Sequence, residues 1–288
     1  MKRVWRLLSC IRYGEVLVLQ GPPVMGCVLG MGTLTTHNAI LVAVFILANF
    51  LLVAHIWSLN DWADARADAN DENKPSRAFT QKGVSPLAML ALSLGLLIVS
   101  LVIFAMLKAE TFWIAVCLVL LGFLYSFPGL HLKSVAPFSS LPHLAGGFLH
   151  FLLGYSLFTS LDTNALQIAV AFALIFTAGH GIQEVQDHDA DRHARLRTNA
   201  VVFGKRTVFW AALATFLFAY GTLWHLSAVG ILPLRLGIPS LVMAVLHLAC
   251  ARQALKGGLS FQSVRQYRAR YRVLFALLGV LVISTLFC

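Results

Sequence analysis

In a chain of 288 residues, 59% apolar and 12% charged side chains and a mean hydropathy of +0.79 leave too little polar surface for a soluble globular domain. The composition is that of an all-α integral membrane protein, a single polytopic domain over residues 1–288 with little chain left for a soluble module. A formal net charge of +10 would suit a nucleic-acid binder, but the placement of the basic residues argues against such a partner.

A bilayer-crossing helix takes about 20 mostly apolar residues. The pattern predicts nine, at 13–32, 39–57, 84–107, 111–127, 141–161, 166–182, 208–229, 238–251 and 273–287. The first follows "MKRVWRLLSCIR", a basic start like that of a signal peptide. Its apolar part is too long for one, and no small-residue cleavage site ends it, so it is read as a retained helix kinked near Pro22-Pro23. Gly26 and Gly30, in GxxxG spacing, and Gly146, Gly147 and Gly154 in the fifth stretch are expected to let helices approach closely. His143 and His150, also in the fifth, are expected to be neutral and hydrogen-bonded across helices. The five cysteines are scattered without CxxC or a histidine partner at metal spacing, which suggests neither a disulfide framework nor a zinc site.

With a cytoplasmic N-terminus, nine crossings place all of the 22 Lys and Arg on the inner side except Lys108 and Arg235, and the C-terminus on the opposite side. The run "RQYRARYR" ahead of the last stretch is read as a solvated loop facing lipid headgroups.

The chain has only 12 acidic residues, and outside Glu15, Glu110 and Asp162 they fall in two cytoplasmic segments. One holds Asp61, Asp64, Asp68, Asp71 and Glu72, the other Glu184, Asp187, Asp189 and Asp191. Continued as helix, Asp61, Asp64 and Asp68 lie within about 60° of one another, as do Glu184, Asp187 and Asp191, while Asp189 points away. Like charges so spaced repel by a few tenths of a kcal/mol per pair, so a cation is expected between them. Hard oxygen donors without clustered His or Cys favour Mg²⁺, which commonly bridges one or two carboxylates to substrate phosphates. Two other readings are a solvated acidic face partnered by Arg66 and Arg192, and a cation transporter. The regular pairing of two clusters disfavours the first. A lack of isolated ionisable residues near the midplane disfavours the second.

The motifs carry a resemblance. Asn60, Asp61, Asp64 and Asp68 match in full the NDxxDxxxD motif of the UbiA superfamily of intramembrane prenyltransferases, and the following "ENKPSRAF" resembles its NKPxRP stretch, with Ala78 where proline is usual. "YSFPGLHLKS" resembles the family's YSxPxxxxK segment, and "QEVQDHDADRHARLRTNAVVFGKR" its second acidic motif, with Glu184 where aspartate is common. The resemblance implies a bundle of about nine transmembrane helices whose acidic motifs face each other beneath a cytoplasmic cap. It implies Mg²⁺-dependent transfer of an isoprenyl group from an allylic isoprenyl diphosphate to an acceptor, commonly aromatic, with release of diphosphate. Asn60, Asp61, Asp64, Asp68, Glu184, Asp187 and Asp191 would then hold the metal, with Asp64, Asp68, Asp187 and Asp191 at the centre of catalysis. Lys74, Arg77 and Lys133, and more weakly Arg66, would contact phosphate oxygens. Trp57, Tyr125 and Tyr155 are the candidates to face an allylic cation. His180, His188 and His193, which flank the second cluster, are read as hydrogen-bonded helix-end residues rather than bases. A terpene synthase of the same type, in which the substrate's own double bonds capture the cation, uses the same metal site. The expected partners are the diphosphate, a small lipophilic or aromatic acceptor and membrane lipids.

Overall fold

The structure is a computed structural model that describes residues 2–65, 79–127 and 135–284. The expected site residues Arg66, Asp68, Lys74, Arg77 and Lys133 lie outside the described residues. Among those described, the chain is helical apart from an isolated bridge between Val135 and Arg197.

A short α1 (Lys2–Leu8) leads into α2 (Tyr13–Val18) and α3 (Gly21–Met31), which together form the first crossing. The expected kink is a break between the two helices, with prolines in the first turn of α3. Proline lacks the N–H needed in a helix interior but suits a first turn. Gln20 bridges the break, its Nε2 donating to the Val16 carbonyl at 3.0 Å.

Then follow α4 (Thr36–Ala63), α5 (Pro86–Leu107), α6 (Ala109–Ser126), α7 (Leu141–Tyr155), α8 (Thr163–His193), a short α9 (Asn199–Phe203), α10 (Lys205–Ala228), α11 (Leu234–Lys256) and α12 (Phe261–Ser284). Side-chain oxygens of Thr35, Ser85 and Asp162 accept from the first-turn N–H groups of α4, α5 and α8. Asp162, one of the three acids outside the clusters, thus serves as a cap.

Seven crossings, Tyr13–Met31 and helices α4, α5, α6, α8, α10 and α11, are long and apolar enough to span a bilayer. The fifth and ninth expected stretches are helices that do not meet that standard. Helix α7 has 15 residues, about 22 Å against a hydrocarbon core of about 30 Å. In α12 the first half carries Arg265, Arg268, Arg270 and Arg272, so "RQYRARYR", expected as a loop, is helix. Its buried Val264, Tyr267 and Tyr271 explain the difference, since three apolar or aromatic residues at helical spacing give the segment a face to pack.

Helix α7 packs between α3, α6 and α8, and α8 in turn packs on α10 and α12, while α12 returns to α3. The main apolar core lies among α3, α4, α6, α7 and α8, with Phe45, Phe151 and Phe172 inside it. As the glycine spacing suggested, α3 and α7 meet backbone to backbone. A Cβ on Gly154 would overlap the Pro23 carbonyl, one on Gly26 the Phe151 carbonyl, and one on Gly30 would stand 2.9 Å from the Tyr155 carbonyl. Gly147 is similarly tight, 2.7 Å from the Phe172 carbonyl, whereas Gly146 faces open space. Gly154→Ala is therefore expected to cost about 1–3 kcal/mol or more, because backbone rather than a movable side chain fills the space. Gly146→Ala at the same helix is the neutral control, and thermal melting of both in detergent checks the difference.

Buried polar chains tie the helices together. His150 Nε2 donates to Asn49 Oδ1 at 2.9 Å, and Asn49 Nδ2 donates to Gln20 Oε1 at 2.8 Å, so His150 is bonded across helices as expected. Glu15 accepts from both terminal nitrogens of Arg272, at 3.3 and 2.6 Å, linking α2 to α12.

Candidate active site

The two helices that carry the acidic motifs are the longest in the protein. Helix α4 has 28 residues and α8 has 31, about 42 and 46 Å of rise, so each outruns the hydrocarbon core by two or three turns. The surplus turns are where the acids sit. Asn60 and Asp61 are in the last turn of α4, and Asp64 caps it. Glu184, Asp187 and Asp191 lie in the last turns of α8. A helix C-terminus already carries partial negative charge, so carboxylates there are disfavoured twice, by the dipole and by one another. A cation between the helices relieves both.

The structure brings Asn60, Asp64, Glu184, Asp187 and Asp191 to the wall of one cavity of about 1580 Å³. Tyr125, at the end of α6, stands within electrostatic reach of Glu184, Asp64, Asp191 and Asp187 and joins the two clusters. Ser126 Oγ donates to Asn60 Oδ1 at 3.1 Å, which orients the amide. Below this polar end the cavity is apolar, bounded by Leu52, Phe172, Phe176 and Leu236.

Asp61 behaves differently from its neighbours. Arg12 grips it through two nitrogens, Nε at 3.0 Å from Oδ2 and Nη2 on Oδ1, and Asp61 is buried away from the cavity wall. The same guanidinium lies 5.0 Å from the centre of the Trp57 ring. Trp57 lines the cavity, so of the three aromatic candidates Trp57 and Tyr125 reach it. Tyr155 does not. It ends α7, with its hydroxyl 3.3 Å from Asp162 at the start of α8, at the other end of the bundle from the acids.

Glu184 is held from several sides. Its Oε1 accepts from Ser139 Oγ at 2.9 Å and from Asn199 Nδ2 at 3.3 Å. His180 Nε2 lies 3.0 Å from the same oxygen, but without the alignment of a hydrogen bond. The partners come from the stretch after residue 134 and from α9. Those two stretches are pinned to each other, Ala136 N–H donating to the Arg197 carbonyl at 3.1 Å, and close over the end of α8. The His143 and His180 rings stack at 3.7 Å beside Tyr125. His188 and His193 are helix-end residues, bonded to the Asp189 side chain and carbonyl. Asp189 turns from the acidic face as expected. Hydrogen bonds from Lys205 and His188 hold its carboxyl below the usual range.

The donor set suits Mg²⁺. Glu184 Oε2 is buried without a hydrogen-bond partner among the described residues, a vacancy that costs free energy unless something electropositive fills it. Among the described residues no three His, Cys, Asp or Glu side chains close around a single point. That is the arrangement in which one or two carboxylates share an ion with substrate phosphates.

Sequence reasoning missed the wall opposite the acids. Arg265, Arg268 and Arg272 of α12 line the same cavity, with Arg12 beside them. Their spacing, i, i+3 and i+7, is the one that singled out the acids. The signal was present but was assigned to a loop.

Comparisons with known proteins agree with this architecture. A digeranylgeranylglyceryl phosphate synthase of Natronomonas pharaonis is 24% identical over 218 residues, 74% of each chain. The solved structure of a UbiA homologue from Archaeoglobus fulgidus bound to DMAPP and Mg²⁺ superposes with a TM-score of 0.74 at 17% identity, covering 97% of this chain and 99% of that one. That of an apo UbiA homologue from Aeropyrum pernix gives 0.72 at 18% identity, over 94% and 98%. The model of the UbiA prenyltransferase family matches residues 21–258, which include both acidic motifs and every helix from α3 to α11, so the chain belongs to that family and is a membrane prenyltransferase.

Proposed function

We propose that the protein transfers an isoprenyl group from an allylic isoprenyl diphosphate to an acceptor, with Mg²⁺ at the acidic end of the cavity and that end facing the cytoplasm. The observation that carries this reading is the meeting of Asn60, Asp64, Glu184, Asp187 and Asp191 around a cavity whose depth is apolar. A diphosphate needs the first feature and an isoprenyl chain the second. At about 1580 Å³ the cavity exceeds the roughly 300–1,000 Å³ of a common small-molecule site, which leaves room for two substrates. The Archaeoglobus fulgidus homologue, bound to DMAPP and Mg²⁺, supports the donor and the metal.

Asp64 from α4 and Asp187 and Asp191 from α8, with Asp68, hold the metal, Glu184 contributes its unpartnered oxygen, and Asn60 an amide oxygen oriented by Ser126. When bound, Mg²⁺ supplies Lewis-acid neutralisation of the charge that grows on the departing diphosphate. Lys74, Arg77, Lys133 and Arg66 are assigned to the phosphate oxygens. Trp57 and Tyr125 present ring faces toward the carbon left cationic, an attraction worth about 2 kcal/mol in a desolvated site. The apolar walls keep water from that carbon until the acceptor, read from the sequence as aromatic, attacks. Asp61 serves by a different route, fixing the end of α4 through Arg12.

The test is diphosphate release by purified protein from geranyl, farnesyl and geranylgeranyl diphosphates, with and without Mg²⁺ and with and without acceptors. Release that requires both Mg²⁺ and an acceptor is expected. Release without acceptor, with a cyclised product, would replace transfer by terpene synthesis. No release under any condition would remove the enzyme reading of this site.

A further inference from the structure

The cavity has an acidic wall and, facing it, a basic one whose charge is not balanced. Arg265, Arg268 and Arg272 lie within about 60° on one face of α12 and line the cavity, while Arg270 turns away to Gln253 on α11. Among the described residues the only carboxylate that reaches them is Glu15, committed to Arg272 by two hydrogen bonds and standing 4.0 Å from Arg268. Arg268 is otherwise held by neutral amides, Nη1 on Gln186 at 3.0 Å and Nη2 on Gln183 at 3.4 Å. Its Nε is buried with no hydrogen-bond partner, and the side chain is only 13% exposed. A guanidinium so placed, among like charges and with a donor unspent, is costly unless an anion completes it.

Resting on the transfer reading above, we propose that Arg265 and Arg268, steadied by the Arg272–Glu15 pair, seat an anionic group, phosphate or carboxylate, on the acceptor. The fork of a guanidinium matches either oxyanion through paired N–H donors. Gln183 and Gln186, which position Arg268, lie about 100° around α8 from the centre of its acidic face. The seat is therefore beside the diphosphate site and distinct from it, where a second substrate would lie. Farther along α12 the cavity wall turns apolar at Phe275, Leu278 and Val282, so a headgroup on the arginines would run its tail into the greasy part of the same space.

The experiment measures binding in uncharged detergent with Mg²⁺, with and without an unreactive thio analogue of geranyl diphosphate in the donor site. The probes are two anions with their uncharged counterparts: a glycerophosphate bearing one isoprenyl ether against the same ether lacking phosphate, and 4-hydroxybenzoate against its methyl ester. At least one anion is expected to bind about tenfold or more tightly than its counterpart. Arg268→Gln and the exposed-site change Arg265→Gln should each erase that preference, with Arg268→Lys intermediate, while affinity for the thio analogue stays within about twofold. Which anion shows the preference tells a lipid headgroup from a small aromatic acid. Equal binding of charged and uncharged probes, or unchanged preference in both glutamine variants, overturns the proposal. So does loss of thio-analogue affinity in the variants, which would assign the arginines to the donor diphosphate. Failure of the thio analogue to bind the unaltered protein in a Mg²⁺-dependent way would instead count against the transfer reading, and the probes without donor still report on the arginines.

Discussion

Replacing Asp187 with Ala is expected to lower Mg²⁺-dependent diphosphate release by about 10²–10³-fold, the usual cost of losing one preorganised electrostatic contact to developing charge. Asp64→Ala should do the same from the other helix. The double variant should be little worse than either alone, because residues that hold one charged assembly act as a unit. Neither change should unfold the bundle. Each carboxylate sits near a helix C-terminus among like charges, so its removal relieves repulsion of a few tenths of a kcal/mol rather than breaking a contact. Circular dichroism and thermal melting, run beside the rate measurement, separate loss of chemistry from loss of fold. Full activity in both variants would sink the metal assignment.

Arg12→Ala should act in the opposite way, on stability before chemistry. It leaves Asp61, 6% exposed, without the guanidinium that grips it, and breaking a buried pair from one side costs about 3–5 kcal/mol. The midpoint of unfolding in detergent should fall markedly, and adding Asp61→Asn to Arg12→Ala should recover most of the loss, since a neutral amide no longer needs the partner. The Asp61→Asn change alone gives the sharper distinction. If Asp61 is a metal ligand, the variant needs far more Mg²⁺ for half-maximal release. A Mg²⁺ requirement like that of the unaltered protein, with a lowered melting midpoint, would leave Asp61 to the Arg12 pair.

The acidic motifs were legible because they combine two signals that survive in one dimension: scarcity, with 12 acids in 288 residues, and helical spacing. The same spacing in Arg265, Arg268 and Arg272 was passed over because basic residues at a membrane edge have an ordinary explanation in headgroups. Only the packing of α12 on α8 and α3 turns that face inward. Tyr155 and Tyr125 show the same limit for aromatics. Both end helices that border the core, yet one reaches the acids and the other lies at the far end, a matter of helix direction that composition does not record. The glycines of α3 and α7 were readable as a packing surface, but that Gly154 meets Pro23 while Gly146 meets nothing depends on the rotation of α7 about its axis.

By itself the sequence determined that this chain lives in a bilayer, where its elements run and which two segments gather its carboxylates, because hydropathy and charge are properties of residues and of their neighbours along the chain. The tertiary structure alone decided that Asp64 shares a cavity with Asp187 and Asp191 while Asp61 turns to Arg12, and that a basic wall stands opposite. Those outcomes rest on contacts between residues far apart in the chain, such as Asn49 with His150 and Glu15 with Arg272, whose geometry is set by how whole helices pack against one another.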